Sequence, residues 1–219
     1  MGEVAAAQEL RITEIFLSIQ GESASVGWPT VFVRLTGCPL RCVYCDTTYS
    51  FTGGELLTLE AILEQVKAHG VSHVCVTGGE PLAQPECLDL LTALCDQGYQ
   101  VSLETSGALD ISRVDPRVMT VMDLKTPSSG EAHRNLLSNL AHLKPTDQIK
   151  FVLAGREDYD WAVDQLRQHD LASKAQVLFS PVFKDQSPAD LAEWILHDKL
   201  PVRMQLQLHK LLWGEARGR

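Results

Sequence analysis

The first core strand and the loop after it decide the fold class, and over residues 31–47 they read VFVRLTGCPLRCVYCDT. The run 31–36 is apolar and rich in β-branched residues, which is typical of a buried strand. After Gly37 come cysteines at positions 38, 42 and 45, a C-x3-C-x2-C spacing that lets three thiolates converge on one loop. The stretch therefore predicts a core strand followed directly by a three-thiolate site.

The residue types of this loop favour an iron–sulfur cluster. Soft thiolates select iron–sulfur clusters or zinc, and three protein ligands leave a fourth metal position open. Zinc is the alternative, but a structural zinc site usually has a fourth Cys or His close to its partners. The sequence has no second pair of that kind near the loop. A cluster with one open iron, able to bind a small chelating ligand, is the favoured interpretation for Cys38, Cys42 and Cys45.

Outward from this stretch, strand-like runs alternate with amphipathic helical runs. Strands separated by helices indicate a parallel sheet. About six such units over roughly 200 residues predict an α/β fold, an incomplete (β/α)6 TIM-like barrel. We expect a single domain over 1–219, with the cluster loop at 37–47 and flexible ends at about 1–8 and 214–219, where Arg217 and Arg219 form a solvated tail. The predicted strands are 31–36, 74–77, 100–104, 119–124, 148–153, 175–180 and 202–208, and the predicted helices are 59–69, 85–97, 131–143, 158–168 and 187–197.

The composition excludes several classes of protein. The 219 residues carry a formal net charge of −9, whereas a nucleic-acid groove needs an excess of Lys and Arg. No apolar run approaches the about 20 residues of a spanning helix, and no secretory leader is recognisable. We therefore expect a cytoplasmic protein with neither membrane nor nucleic acid as a partner. A chain of this size needs no disulfide framework, so Cys75, Cys87 and Cys95 are expected to be buried core residues.

A second motif, Val76-Thr77-Gly78-Gly79-Glu80-Pro81, follows the predicted strand 74–77. Two glycines let the backbone approach a ligand closely at the C-terminal end of a strand, where barrel active sites lie. An ordinary turn is the alternative, because Gly-Gly is common in turns.

Together, the cysteine loop with an aromatic residue before its last Cys and the G-G-E-P segment resemble the signature of the radical S-adenosylmethionine (SAM) superfamily. The resemblance implies a [4Fe-4S] cluster whose open iron binds the amino and carboxylate groups of SAM. Reduction of SAM then gives a 5′-deoxyadenosyl radical, chemistry that belongs to the cofactor. For Glu104 and Lys125 a structural ion pair is the alternative. The SAM contacts that the resemblance implies are Tyr44, Gly78, Gly79, Glu80, Glu104, Ser106, Asp123 and Lys125.

Over about 15–213 the chain resembles more narrowly the 7-carboxy-7-deazaguanine synthase family. The resemblance implies a carbon–nitrogen lyase that converts 6-carboxy-5,6,7,8-tetrahydropterin to 7-carboxy-7-deazaguanine with loss of ammonia, in queuosine and 7-deazapurine biosynthesis. It further implies Mg2+ as a cofactor, flavodoxin or ferredoxin as electron donor, and a homodimer.

Two groups of polar residues upstream of the cysteines are candidates for substrate binding. Gln20-Gly21-Glu22 resembles the family's Q-G-E-G, in which the Gln and Glu read the pterin ring, although Ser23 replaces the last Gly. An amide and a carboxylate match the donors and acceptors of a pterin edge, and a surface turn is the alternative. Arg34 lies in an apolar strand, where burial is costly without an anion. That anion is either a substrate carboxylate or a structural Asp or Glu.

Downstream, Thr47 resembles the family's Mg2+-binding Thr, and an oxygen ligand suits that ion. In the predicted last strand, apolar residues alternate with Arg203, Gln205, Gln207 and His209, so one face is wholly polar. Such a face fills a barrel lumen, or it belongs to an edge strand in water. The segment 207–210 resembles the family's C-terminal motif, which implies substrate contacts by Gln207 and His209. Gln148 and Lys150 are also expected to point inward.

Two rival functions remain. A glycyl-radical-enzyme activating protein has a similar cysteine loop but needs an open groove for a partner's backbone. A non-catalytic zinc-binding protein needs only the thiolates.

Overall fold

The structure is a computed structural model that describes residues 8–214 and 216–219. The part of the predicted flexible N-terminus at 1–7 lies outside the described residues. The strands are β1 (Glu9–Ile19), β2 (Pro29–Leu35), β3 (Glu55–Thr58), β4 (His73–Gly78), β5 (Gln100–Thr105), β6 (Met119–Asp123), β7 (Gln148–Leu153), β8 (Gln176–Pro181) and β9 (Arg203–Met204). The helices are α1 (Leu59–Ala68), α2 (Cys87–Asp96), α3 (Arg156–Gln168), α4 (Leu171–Lys174), α5 (Pro188–Asp198) and α6 (Leu208–Trp213).

The nine strands of the described residues form one sheet in the order β3-β1-β2-β4-β5-β6-β7-β8-β9. From β2 onward every neighbouring pair is parallel, while β1 runs antiparallel to both β2 and β3. Within the described chain β3 and β9 remain the two edges, so the barrel is not closed. The prediction of an α/β fold with an incomplete barrel is confirmed. The antiparallel pair β1 and β3 is an addition that the sequence pattern did not predict.

Strand register determines which side chains face the lumen. Parallel pairing aligns Arg34 with Thr77, Glu104 with Val121, and Asp123 with Lys150. Because side chains alternate along a strand, these polar residues share the lumen face, and their apolar neighbours face the helices. Apolar residues of β7 and β8, such as Phe151 and Phe179, pack against Tyr159, Ala162 and Leu166 of α3. The core therefore lies between sheet and helices, and the lumen is left for polar groups.

The predicted helix 131–143 is wrong. The segment forms two short 3-10 helices, Ala132–Arg134 and Leu137–Ala141. Two asparagines explain this, since such side chains compete with helical hydrogen bonding. Asn135 exchanges hydrogen bonds with the backbone of Lys125, and Asn139 donates to the carbonyl of Leu109 at 2.8 Å. The hydrogen bonds of both asparagines hold the segment across the ends of β5 and β6.

The predicted strand 202–208 is largely wrong. Only Arg203–Met204 pairs with β8, and α6 begins at Leu208. Gln205 N still donates to Phe179 O of β8 at 2.9 Å, while its side-chain Oε1 accepts from Ser23 N at 2.6 Å. After Gln205 the chain leaves the sheet, and Leu208 N donates to Gly21 O of the turn at 20–23, at 3.1 Å. Of the four polar residues of this segment, Gln207 and His209 line the cavity, whereas Gln205 and Arg203 bond to the turn at 20–23.

The described end residues Gln8, Arg217 and Arg219 are exposed, and the flexibility of the ends stays a prediction. Gln8 donates a hydrogen bond to Asp89 at 2.7 Å, and Arg217 stacks over the ring of Tyr49 at 4.3 Å. No described helix is long and apolar enough to cross a membrane.

Candidate active site

A cavity of about 230 Å³ opens at the C-terminal ends of the parallel strands. It is the place where the cysteine loop meets the lumen. Arg219, expected to be solvated, is also in its wall. Of the residues predicted for the site, Gly21 and Glu80 are not in the lining, and those that are in it are Gln20, Glu22, Arg34, Cys38, Cys42, Tyr44, Cys45, Thr47, Gly78, Gly79, Glu104, Ser106, Asp123, Lys125, Gln207 and His209.

The three cysteines of the loop are free thiols, each half-buried at the cavity wall. Burial raises the pKa of the Cys42 thiol to about 11 and also raises that of Cys38. A metal group that binds here must therefore displace protons, as thiolate ligands always require. No three Cys, His, Asp or Glu side chains in the described part of the chain converge closely enough to hold a single metal ion. The three thiols at the cavity wall are the candidate ligands of a metal group.

Gly78 and Gly79 lie where the end of β4 packs on the cysteine loop. A Cβ on Gly78 would stand 2.5 Å from the carbonyl oxygen of Leu35, and one on Gly79 would stand 2.7 Å from Cys38 Cβ. Glycine is required here for packing against the loop, in addition to any approach by a ligand. The backbone of Glu80 completes the contact by donating to Gly37 O at 2.8 Å.

The Glu80 side chain has a different role from the predicted contact with SAM. It is fully buried, and its carboxylate accepts hydrogen bonds from Leu82 N at 3.1 Å, Thr105 Oγ1 at 2.9 Å and Ser106 N at 2.7 Å. These bonds tie the end of β4 to the end of β5. Glu80 therefore positions Thr105 and Ser106, both of which line the cavity.

Glu22 is the most strongly paired carboxylate in the lumen. Its oxygens accept from Lys150 Nζ at 2.8 Å, Gln207 Nε2 at 3.0 Å and Gln205 Nε2 at 3.3 Å. Burial alone would raise the pKa of Glu22, but the charge and hydrogen bond of Lys150 outweigh it and lower the pKa to about 2. Glu22 is thus ionised at neutral pH.

Glu104 lies near Glu22, and its pKa shifts in the opposite direction. Burial raises the pKa of Glu104, Lys150 lowers it, and the neighbouring charge of Glu22 raises it further. Gln20 Nε2 donates to Glu104 at 3.5 Å. The carboxylate and the amide predicted to read a pterin edge are therefore both beside Glu104.

Asp123 and Lys125 form the ion pair that was the alternative to SAM contact, with Nζ and Oδ2 2.9 Å apart. The other oxygen of Asp123, Oδ1, is buried without a hydrogen-bond partner in the described chain. An unsatisfied buried acceptor beside a cavity fits a ligand that donates a hydrogen bond, such as the amino or hydroxyl groups of SAM. The pairing and the ligand contact are compatible, because they use different oxygens.

Arg34 has the structural partner that was one of its two predicted alternatives. Its Nε donates to Glu14 Oε1 at 2.8 Å, across the β1–β2 pair. Tyr49 also donates to Glu14, at 2.8 Å. The guanidinium lines the cavity, so the Glu14 contact positions it and does not exclude a substrate anion. Glu14 was missed because β1 was not predicted.

The segment around His209 closes the cavity over the turn at 20–23. A Cβ on Gly21 would overlap His209 Nδ1, so only glycine fits there. Lys210 forms an ion pair with Asp46 at 2.7 Å, which joins this segment to the cysteine loop next to Thr47. Burial lowers the pKa of His209. Thr47 Oγ1 lies 3.7 Å from Cys45 Sγ at the cavity wall.

Comparisons with known proteins agree with this geometry. The model of the radical SAM superfamily matches residues 32–122. A 7-carboxy-7-deazaguanine synthase of Chlorobaculum tepidum is 49% identical over 95% of this chain and 97% of its own length. Another from Koribacter versatilis is 42% identical over 95% of this chain and all of its own length (100%). The crystal structure of QueE from Escherichia coli is similar in fold, with a TM-score of 0.76 and 24% identity over 92% of this chain and 95% of that chain.

Glu80→Gln tests the hydrogen bonds by which the Glu80 side chain joins the end of β4 to the end of β5. The amide nitrogen of Gln cannot accept from Ser106 N, so a buried donor loses its partner. We expect the free energy of unfolding to fall by about 1–3 kcal/mol, measured by urea denaturation. Glu64→Gln, on the exposed side of α1, is the control and should change it little. Equal stability of the two variants would contradict the assigned role.

Substitutions of Ser23 test the turn that carries Glu22. Its φ of 68° is left-handed, where a side chain is strained. Gln205 and Arg203 hold it there, through bonds of 2.6 Å each to its N–H and its carbonyl. Ser23→Gly should be more stable to urea than Ser23→Ala by about 1 kcal/mol, because glycine adopts this conformation freely. Alanine equal to glycine would show that the turn is not strained.

Proposed function

The chain belongs to the 7-carboxy-7-deazaguanine synthase family of the radical SAM superfamily, and on that premise we propose how its own residues convert 6-carboxy-5,6,7,8-tetrahydropterin to 7-carboxy-7-deazaguanine with loss of ammonia. It is a radical SAM lyase with a [4Fe-4S] cluster and SAM as cofactors. One observation carries the proposal. A single cavity has the three cysteines in one wall and Gln20, Glu22 and Arg34 in another.

Cys38, Cys42 and Cys45 would hold the cluster, which with SAM supplies the 5′-deoxyadenosyl radical that removes hydrogen from C6 of the pterin. The protein holds this loop rigidly. Gly37 N donates to Ser50 O at 2.8 Å, and Val43 N donates to Ser129 O at 3.0 Å. Fixed ligands of this kind keep the reacting groups in place and lower the entropic cost of the reaction.

The SAM side of the cavity is lined by backbone and by short polar side chains. Gly78 and Gly79 contribute to the cavity wall without side chains, while Ser106 and the free Oδ1 of Asp123 offer hydrogen-bond partners. Tyr44 is fixed by donating to Val152 O at 3.3 Å. We assign SAM contacts to these residues, with Lys125 orienting Asp123, and assign Glu80 the supporting role described above.

The substrate side carries the charges and amides that suit an anionic pterin. The carboxylate of Glu22 and the amide of Gln20 match the N–H and carbonyl groups of the ring. Arg34, held by Glu14, is assigned to the substrate carboxylate. Gln207 and His209 close the cavity over the ring, with Gly21 giving His209 room. Glu104, between Gln20 and Lys150, lies where the two ligands meet.

Three further features belong to the proposal. The lumen cavity suits a small heterocycle better than the backbone loop that a glycyl-radical activating enzyme must admit. Reduction needs an external one-electron donor, for which we propose flavodoxin or ferredoxin. The exposed apolar residues Leu211, Leu212 and Trp213 of α6 support a homodimer.

Product formation tests the function. Anaerobically reconstituted protein given SAM, a reductant and the carboxytetrahydropterin should yield 7-carboxy-7-deazaguanine, detected by mass spectrometry. Cys42→Ala should abolish iron–sulfur absorption and turnover, while Cys87→Ala, which removes a thiol from the apolar core away from the cavity, should retain both. An intact cluster without product would defeat the substrate assignment. Tight zinc without iron–sulfur absorption would favour the zinc-binding rival.

Mg2+ at Thr47 is tested by titrating the metal. Thr47→Ala removes the proposed hydroxyl ligand, so half-maximal activity should need at least about tenfold more Mg2+. Thr47→Ser keeps the hydroxyl and should resemble the wild type. Iron content measured in parallel shows whether the cluster is intact. An unchanged Mg2+ requirement in Thr47→Ala would remove Thr47 as a ligand.

A further inference from the structure

Lys150 is a buried cation in the lumen to which neither the motifs nor the relatives assign a role. It lies on β7 between Ile149 and Phe151, which face the core. Its ammonium is 2.8 Å from Glu22 Oε2 and 3.8 Å from the nearer oxygen of Asp123. Since Asp123 has a closer partner in Lys125, Glu22 is the principal partner of Lys150.

The hydrogen bonds of Glu22 leave room for a ligand. An ionised carboxylate has about four acceptor positions. Lys150 and Gln205 use two on Oε2, and Gln207 uses one on Oε1. The second position on Oε1 remains for a ligand N–H, provided that the carboxylate stays ionised.

Burial of Glu22 opposes its ionisation. A buried carboxylate without a cation takes up a proton, since burial disfavours the charged form. A protonated Glu22 would present a hydroxyl donor to the N–H groups of a pterin. Two donors that face each other cannot form a hydrogen bond, so the ligand would bind more weakly.

We propose that Lys150 is a positioning residue for pterin recognition, which keeps Glu22 ionised and oriented so that the carboxylate accepts from the ring. This inference rests on the proposed function, because the pterin is the ligand that Glu22 is taken to read. It gives Lys150 a role distinct from filling the lumen, since an uncharged side chain of equal size would fill it as well.

The charges around Glu22 determine the direction of the pH effect. Besides Lys150 on β7, it faces His209 on α6 and Glu104 on β5, while Asp123 on β6 lies near Lys150. Burial raises the pKa of Glu22, and Lys150 is the largest influence that lowers it, to about 2. Without Lys150 only the hydrogen bond from Gln207 and the charge of His209 oppose the burial, so the pKa of Glu22 rises. Binding is then lost as pH falls through the new pKa and returns as pH rises.

The experiment measures the dissociation constant of the substrate, 6-carboxy-5,6,7,8-tetrahydropterin, by anaerobic equilibrium dialysis with the reconstituted holoenzyme, from about pH 5.5 to 8.5. At each pH, the dissociation constant of a variant is divided by that of the wild type, and this ratio cancels the titration of the pterin itself. For Lys150→Met this ratio should rise by up to about tenfold for each unit that pH falls below the new pKa of Glu22. Lys150→Gln, which keeps an N–H donor, is the second variant if Lys150→Met folds poorly. Lys150→Arg should restore a nearly flat ratio.

Matched variants separate this role from loss of stability. Lys144→Met removes another lysine paired with a buried carboxylate, Asp147 at 2.7 Å, away from the cavity lining, and its ratio should be independent of pH. In a Glu22→Gln background, which has no carboxylate to protect, adding Lys150→Met should change pterin affinity little.

The outcomes are distinct. A pH-dependent ratio for Lys150→Met and Lys150→Gln that disappears in the Glu22→Gln background supports the proposal. A ratio that is flat, or a Lys150 effect of equal size with and without Glu22, overturns the positioning role and leaves the proposed function standing. A wild type that does not bind the pterin overturns the substrate assignment and the inference with it.

Discussion

Charge pairing inside the barrel lumen is the constraint on which the rest of the structure depends. Register places Arg34, Glu104, Asp123 and Lys150 on the lumen face, where an unpaired charge costs several kcal/mol. Their partners come from other strands and from the turn that carries Glu22. Satisfying the charges therefore fixes the loops as well as the strands, and the binding groups are already oriented before a ligand arrives.

The C-terminal segment joins the two ends of the site. Gln205 bonds both to Ser23 N and to Glu22, so the same amide stabilises a left-handed turn and orients its carboxylate. Beyond it, Lys210 pairs with Asp46 beside the cluster cysteines. A displacement of this segment would alter the pterin side and the cluster side together.

Local sequence patterns predicted the features that residues close together in the chain determine. The cysteine spacing and the alternation of strands and helices gave the cluster loop and the open parallel barrel. Failures occurred where distant residues decide the backbone: Asn135 breaks a helical pattern by bonding to Lys125 after β6, and Leu208 bonds to the turn at Gly21 where the pattern predicted a strand. The role of Glu80 depends on Ser106, which directly follows the next strand, so its motif alone could not reveal it.

The proposed function requires that one cavity brings the cluster-bound SAM against C6 of the pterin. Deuterium transfer is the decisive test: the substrate is labelled at C6, turned over once with SAM and reductant, and the 5′-deoxyadenosine is analysed by mass spectrometry. We expect deuterium from C6 to appear in 5′-deoxyadenosine as the deazaguanine forms. Product formation with unlabelled 5′-deoxyadenosine would contradict it.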